Sequence, residues 1–284
     1  MKNKGIAFVM ASALLYGFAP ILCTMTYQMG NTPVTLTFFR SFFAVFILGG
    51  MMIKNKVSFR CELNEMIRLV GVALFGSVLT TLLLNCSYLY IGAGTATTLH
   101  FLYPLFVTLI CHFVYHDVLK KQQIFALGIA LIGVLLFIDL NDFKKIQGIV
   151  MALVSGMTFA IYLVGIEKLG LSKMNSYKMS FYFALTVTIV MGIFGLSTGS
   201  LVLNQPVISF GYMAVVSLMA QCLAVIFLGK GIGILGSSLA SLFSMFEPVS
   251  CVIFECLLLG ASISLPQILG CALILGGVAL LIKK

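Results

Sequence analysis

The chain has 284 residues, of which 61% are hydrophobic and only 9% are charged. A soluble domain has about 25% charged residues, so this composition excludes a soluble globular protein. The formal net charge of +9 is spread over short segments rather than gathered in a basic block, which argues against a nucleic-acid partner. The eight cysteines form no CxxC pair, so we predict neither a disulfide framework, nor a metal site, nor a cofactor.

Ten apolar stretches follow one another along the chain, each long enough to cross a bilayer as a helix. Only helices and closed barrels satisfy the backbone in hydrocarbon, and runs of this length exclude barrel strands. The first stretch has no small-residue cleavage site at its end, so we expect it to be retained. The sequence predicts an all-α polytopic membrane protein with spans at approximately 5–27, 34–53, 67–89, 93–115, 121–139, 147–166, 176–197, 209–229, 234–256 and 263–282.

The distribution of Lys and Arg predicts the orientation of these spans. If the N-terminus is cytoplasmic, ten spans return the C-terminus to the same side, and 14 of the 17 Lys and Arg residues fall in inside segments. Lys144 and Lys145 fall outside, and Arg40 lies within a span. The positive-inside rule therefore predicts cytoplasmic termini, with the protein in the plasma membrane of a bacterium.

The second half of the chain repeats the first. Five spans per copy is an odd number, so the second copy is expected to insert upside down, with a substrate site between the copies near the bilayer midplane. We place the two copies at residues 1–140 and 141–284; chance alignment of two apolar sequences is the alternative. At an offset of 144, Gly92, Ala96, Pro104, Gln123, Gly133 and Val134 fall on Gly236, Ala240, Pro248, Gln267, Gly277 and Val278, and at 143 Gly5 and Ser12 fall on Gly148 and Ser155.

The segment from Ile234 to Leu281 carries Glu247-Pro248 and ends in a glycine-rich run. It resembles the closing segment of the EamA-like branch of the drug/metabolite transporter superfamily, and the segment from Ile91 to Ile138 is its first-copy counterpart. The resemblance covers nearly the whole chain and implies a ten-helix transporter of amino acids, sugars or other metabolites. Members often carry an acid where the penultimate loop begins. Here Asp117 has Ala261 as its counterpart, so we assign that acid no catalytic role.

Three ionisable residues are predicted inside the membrane, where such groups are costly and are candidates for function. Arg40 lies seven residues past Pro33, roughly 10 Å below the outer surface, and His100 and Glu247 reach a similar depth. We expect the three to share a polar cavity, with Glu247 paired to Arg40 or to a cationic group of the substrate. Alternatively, Glu247 satisfies backbone groups freed by Pro248, and Arg40 extends to the outer interface.

Other polar or helix-breaking residues are weaker candidates for the substrate pathway. Pro104 and Pro248 each remove a backbone donor at equivalent positions, as expected for helices that bend around a site or that pack closely. The buried amides of Asn85 and Gln221 need partners, which helix-to-helix hydrogen bonds would also supply. The tyrosines near the predicted cavity, or alternatively in the core or at the interface, are Tyr16, Tyr88, Tyr103 and Tyr162.

Two motifs are set aside. Gly231-Ile-Gly233-Ile-Leu-Gly236 satisfies GxGxxG, but the dinucleotide fingerprint needs a preceding strand, so we predict a tight turn between two spans. His112 and His116 have the spacing of metal ligands but lack the glutamate of HExxH, so we expect interfacial histidines.

These observations together predict a secondary transporter rather than an enzyme. The sequence has no P-loop, so a cargo gradient or a coupled ion, such as a proton, must drive transport. We favour export of small polar or amphipathic metabolites, with amino acids foremost, from a chain whose partners are the cargo, the lipid bilayer and, as a further option, a second copy. The alternatives are an importer or an exchanger of sugars or other metabolites, an intramembrane enzyme, for which no convincing catalytic cluster is found, and a membrane scaffold without transport activity.

Overall fold

A computed structural model describes residues 2–87, 90–91, 93–137, 145–260 and 263–282. Within these ranges every regular element is a helix, and nine helical stretches are long and apolar enough to cross a membrane. A tenth apolar helix, Lys121–Leu135, has 15 residues, or about 22 Å of length. The predicted all-α polytopic fold is confirmed. Tyr88, Gly92, Lys144, Ala261 and the predicted boundary between the copies lie outside the described residues.

The observed spans follow the predicted ones closely, with the largest shifts at the start of the third span and around the junction of the eighth and ninth. They are α1 (Lys2–Gln28), α2 (Pro33–Lys54), α3 (Leu63–Ser87), α4 (Ala93–His100 and Tyr103–Phe113), α5 (Lys121–Leu135), α6 (Ile146–Lys168), α7 (Ser176–Ser197), α8 (Val207–Leu235), α9 (Ser237–Ser244 and Phe246–Leu259) and α10 (Leu265–Ile282).

The second helix of each copy begins with the same kind of cap. The Thr32 side chain accepts a hydrogen bond from the Thr35 backbone N–H at 3.1 Å, and the Asn175 side chain accepts one from the Tyr177 N–H at 3.0 Å. Such caps satisfy donors that the first turn of a helix leaves unpaired. The two capping residues stand 143 positions apart, so the sequence repeat is matched by a repeat in local structure.

The third helix of each copy contains a π-helical segment. Ala73–Val78 interrupts α3, and Ser217–Ala224 interrupts α8, beginning 144 positions later. A π segment widens the helix and leaves one residue more per turn, and such segments are found frequently at functional sites. Neither segment was predicted from the sequence, because hydropathy carries no signal for a change of helix type.

The fourth helix of each copy is interrupted near its middle. α4 breaks between His100 and Tyr103, and α9 breaks at Met245, which is 144 positions after Phe101. Pro104 and Pro248 lie in the first turn of the second piece, where the missing proline N–H has no helical acceptor to lose. The two prolines therefore start new helical pieces instead of kinking continuous helices.

The last helices of the two copies pack against each other through glycines. A Cβ atom added to Gly133 in α5 would lie 2.7 Å from the Gly270 carbonyl oxygen in α10. A Cβ atom added to Gly277 in α10 would lie 2.7 Å from the Ala126 carbonyl oxygen in α5. Small residues permit this close approach of backbones, which is a common basis for helix association in membranes. Gly133 and Gly277 are repeat counterparts, so the contact is pseudo-symmetric.

One end of the bundle, which we call the basic end, carries the connections α2–α3, α4–α5 and α6–α7 and is tied by polar contacts between the copies. Lys168 Nζ lies 2.6 Å from Asp117 Oδ2, and Lys178 Nζ lies 3.3 Å from Glu65 Oε2. Two further contacts join the same loops: Arg68 Nη1 donates to the Leu169 carbonyl at 2.9 Å, and the Tyr182 hydroxyl donates to the Phe59 carbonyl at 2.5 Å.

The glycine motif near the end of α8 differs from the prediction. Gly231 and Gly233 lie inside the helix, together with Lys230, and only Gly236, with a φ of 81°, forms the turn into α9. A Cβ atom on Gly231 would lie 2.4 Å from Val9 Cγ2, so this glycine allows α8 to approach α1. The predicted tight turn over the whole motif is therefore wrong, because packing rather than turn geometry explains its first glycines.

Candidate functional site

A cavity lies in the middle of the helix bundle, between the two copies. It encloses about 490 Å³ of empty volume, its opening to solvent included. Its lining comes from the first three helices of each copy, which is where an inverted repeat is expected to hold its site. The lining residues are Tyr16, Arg40, Gly76, Ser77, Thr80, Thr81, Phe159, Tyr162, Phe183, Gln221 and Val225.

The first copy supplies the polar side of this cavity. Ser77, Thr80 and Thr81 lie on one face of α3, in and just after its π segment. The Thr81 hydroxyl donates to the Ser77 carbonyl at 2.9 Å, and the Thr80 hydroxyl shares a hydrogen bond of 2.7 Å with Thr158 of α6. The Tyr16 side chain from α1 and the Arg40 side chain from α2 complete this side, which we call the polar wall.

The second copy supplies an aromatic side. The Phe159 and Tyr162 rings on α6 are stacked, with centroids 5.6 Å apart, and the Tyr162 and Phe183 centroids are 5.4 Å apart. Val225 adds an aliphatic group, and Gln221 is the one amide among the lining residues. The three rings form a continuous surface, which we call the aromatic wall.

The two walls occupy matching positions of the repeat. Four of the six lining residues of the first copy are replaced, 143 or 144 positions later, by another lining residue of different chemistry. At three of these four pairs a polar residue of the first copy is replaced by an apolar residue of the second, and at the fourth a hydroxyl is replaced by an amide. The counterparts are Tyr16 and Phe159, Arg40 and Phe183, Ser77 and Gln221, and Thr81 and Val225.

Arg40 is a cation without an anionic partner in this arrangement. Its Nε atom is buried and has no hydrogen-bond partner among the described residues. Among the described residues, the ion pairs join Lys168 to Asp117 and Glu167, and Lys178 to Glu65. The predicted pairing of Glu247 with Arg40 is not among these ion pairs, although both side chains lie within electrostatic reach of Tyr16.

Glu247 lies at the start of the second piece of α9. Its carboxyl is within electrostatic reach of the Tyr16 hydroxyl from α1 and of the Tyr103 hydroxyl from α4. Its backbone carbonyl accepts a hydrogen bond of 2.8 Å from Ser250, whose hydroxyl also lies 3.1 Å from the Ala13 carbonyl. Tyr103 and Glu247 are repeat counterparts, so the two broken helices meet at equivalent positions.

His100 contacts a different group of residues. Its Nδ1 shares a hydrogen bond of 3.0 Å with the Ser155 hydroxyl, and its ring packs 5.4 Å from the Phe159 ring and 5.8 Å from the Tyr103 ring. It is not among the residues that line the central cavity. Among the three residues expected to share one cavity, only Arg40 lines it; Arg40 and Glu247 lie within electrostatic reach of Tyr16, and the His100 ring lies beside Tyr103.

The structure brings some of the remaining predicted residues to the cavity and leaves others outside it. Tyr16, Tyr162 and Gln221 line it, whereas Tyr103 is buried beside it and Asn85 is half-buried near the end of α3. Tyr88 lies outside the described residues.

The hydroxyl groups of α3, the Phe159 ring of α6 and the Phe183 ring of α7 were not predicted from the sequence. The spacing of Ser77, Thr80 and Thr81 places three hydroxyls on one helix face, which was a readable signal. Phe159 and Phe183 could have been found by carrying the repeat offset to the counterparts of Tyr16 and Arg40.

Comparison with known proteins adds evidence on family and fold. The model of the EamA-like transporter family matches residues 3–138 and again 146–283. An uncharacterized transporter of Bacillus subtilis (strain 168), YcbK, is 24% identical over 279 residues, with 94% of this chain and 89% of that protein covered. A solved crystal structure superposes with a TM-score of 0.83 at 16% identity, covering 99% of this chain and 97% of the other, which supports the fold alone.

Proposed function

Because the chain belongs to the EamA-like transporter family, within the drug/metabolite transporter superfamily, we propose that it is a secondary transporter working by alternating access. It is a multi-pass membrane protein and a membrane transporter of this superfamily. The proposal adds the mechanism, the cargo, the direction and the membrane: export of small polar or amphipathic metabolites, amino acids foremost, across a bacterial plasma membrane, with both termini cytoplasmic and without enzymatic activity.

The central cavity is the observation that carries this proposal. It lies between the copies and is lined by three helices from each, so a rocking motion of one copy against the other would change the side from which it is reached. Its polar and aromatic walls together suit a cargo that has both a polar and an apolar part.

The polar contacts at the basic end support the alternating part of the mechanism. The Lys168–Asp117 and Lys178–Glu65 pairs each join one copy to the other. These pairs would have to separate before the cavity could open at that end. If the basic end is cytoplasmic, as the positive-inside rule predicts, separation of the pairs admits cargo for export.

We assign a coupled proton to Glu247 within this proposal. A carboxyl at membrane depth is a group by which transporters carry protons. The titratable groups within its electrostatic reach are the phenols of Tyr16 from α1 and Tyr103 from α4 and the thiol of Cys251 on its own helix. Its position beside Tyr16, which lines the cavity, allows its protonation to respond to the cargo in the cavity.

The test is metabolite profiling of medium and cytoplasm in cells that express the intact protein, Glu247→Gln or no transporter. We expect one class of compound to rise outside and fall inside with the intact protein, and this response to lose its pH dependence in Glu247→Gln. Glu255→Gln, on the same helix, is the matched control and should behave as the intact protein does. The opposite pattern would make the protein an importer, and identical profiles with all variants folded in the membrane would contradict transport of metabolites.

A further inference from the structure

The half-buried side chain of Arg40 defines the charge that the central cavity can accept. Its Nε atom has no hydrogen-bond partner in the described ranges, although it is buried beside the cavity. A buried donor of a charged group that lacks a hydrogen-bond partner is costly, and an anion beside it would remove that cost. No acidic side chain lies among the residues that line the cavity. The missing anion is therefore best supplied by a molecule in the cavity.

The aromatic wall defines what the rest of that molecule must be. Phe159, Tyr162 and Phe183 face the same cavity from α6 and α7, and their ring centroids are spaced 5.4–5.6 Å apart. Rings at such spacing bind another ring by stacking or by edge-to-face contact, and they bind aliphatic groups by burial of apolar surface. A fully polar solute, such as a sugar, would leave this wall without a complementary surface.

A single cation favours a carboxylate over a phosphate. The planar guanidinium matches a carboxylate through two parallel hydrogen bonds and neutralises its one charge. A phosphate monoester carries about −1.5 to −2 charges near neutral pH and would stay partly uncompensated beside Arg40 alone. On α3, the Ser77 hydroxyl lines the cavity and makes no hydrogen bond in the described part of the chain, so it is available as an additional donor.

We infer that the cavity binds an organic carboxylate with an aromatic or branched apolar group, oriented with its carboxylate on Arg40 and its apolar group against Phe159, Tyr162 and Phe183. This inference rests on the proposed function, because it names the class of cargo. An α-amino group is permitted but is not what the site selects. The orientation is unique, because the repeat counterpart of Arg40 is Phe183 and no second cation lies across the cavity.

The experiment measures binding to the purified full-length protein in lipid nanodiscs by titration calorimetry. The probes are phenylpropionate, L-phenylalanine, acetate and phenylpropionamide, the last of which keeps the shape of phenylpropionate but has no charge. We expect the carboxylate to bind about 10- to 100-fold more tightly than the amide, which corresponds to loss of hydrogen bonds to a charged group. Acetate should bind too weakly to measure, since it leaves the aromatic wall uncovered.

Three variants test separately how the polar wall and the aromatic wall contribute to binding. Arg40→Gln should remove the preference for carboxylate over amide, and Arg40→Lys should keep part of it, because the charge remains without the planar fork. Phe183→Leu should weaken both phenyl compounds several-fold and leave the preference intact. Arg60→Gln, in an exposed segment between α2 and α3, is the control and should bind as the intact protein does.

Two results would overturn the inference: equal binding of the carboxylate and the amide by the intact protein, or a preference that survives Arg40→Gln. Should Arg40→Gln not fold, Arg40→Lys and the comparison of probes on the intact protein decide the matter. Proteoliposome flux keeps this outcome apart from failure of the proposed function. Binding of carboxylates without flux contradicts transport alone, whereas flux of an uncharged compound unaffected by Arg40→Lys contradicts the cargo class alone.

Discussion

The two copies of the five-helix unit agree in their backbones and disagree in what they present to the cavity. Both start the second helix with a polar cap, widen the third into a π segment and break the fourth before a proline. At the cavity, however, the first copy presents Arg40, whereas the second copy presents Phe183 at the equivalent position. The repeat preserves the backbone framework, while several of its cavity side chains differ between the copies.

The largest expected effect concerns the packing of α1, where the two copies differ. A Cβ atom on Gly17 would lie 2.0 Å from Ser250 Oγ and 2.8 Å from the Glu247 carbonyl oxygen, whereas its counterpart in the second copy, Ala160, is buried with its methyl group in place. We expect Gly17→Val to abolish folding, since overpacking costs about 1–3 kcal/mol or more and here meets backbone of α9. Fluorescence-detected size exclusion measures the folded yield.

The control for this substitution is Gly128→Val in α5, where no atom lies within 4 Å of an added Cβ. It should give a yield near that of the intact protein, because the new side chain enters open space. A normal yield of Gly17→Val would mean that α1 can move away from α9. The close packing at Gly17 would then not distinguish the first copy from the second.

The contact between α5 and α10 tests whether the two copies contribute equally to stability at a place where their structures agree. Gly133→Ala and Gly277→Ala each place a Cβ 2.7 Å from a carbonyl oxygen of the opposite helix. We expect each to lower stability by about 1–3 kcal/mol and the two to do so nearly equally. Thermal unfolding followed with a thiol-reactive dye, which reports the exposure of the free cysteines, measures the loss. A large difference between the two variants would show that the pseudo-symmetry does not extend to energetics.

The ion pair at the basic end gives the smallest expected effect. Asp117 pairs with Lys168, but the acid is 38% exposed and its sequence counterpart is Ala261, so the second copy has no equivalent acid. Partly exposed pairs contribute about 0–1 kcal/mol. Asp117→Asn should therefore shift the unfolding temperature little while raising the reactivity of Cys111, which is buried at the same end, towards maleimide. The charge-exchanged double variant Asp117→Lys/Lys168→Asp should restore low reactivity, and unchanged labelling of Asp117→Asn would contradict a closing role for the pair.

Hydropathy predicted the spans, because it reflects a property that acts along the chain. The partners of individual polar groups were not predictable in the same way. His100 faces Ser155 and Arg40 remains apart from Glu247, and these relations depend on how helices rotate about their own axes. The end of α8 was placed too early because Gly231 and Gly233 look like turn residues in a sequence, although both lie inside the helix, Gly231 against α1 and Gly233 against Ser172.

The lone arginine of the cavity also bears on how such a chain could have arisen. Two identical five-helix proteins inserted in opposite directions would form a symmetric dimer, and any residue facing the axis would then appear twice. In such a dimer, an arginine at position 40 would face a second arginine across the site, and a phenylalanine at that position would face a second phenylalanine. Gene duplication followed by fusion allows one side to keep Arg40 while the other acquires Phe183. Fusion thus permits a site on a symmetry axis to recognise an asymmetric molecule.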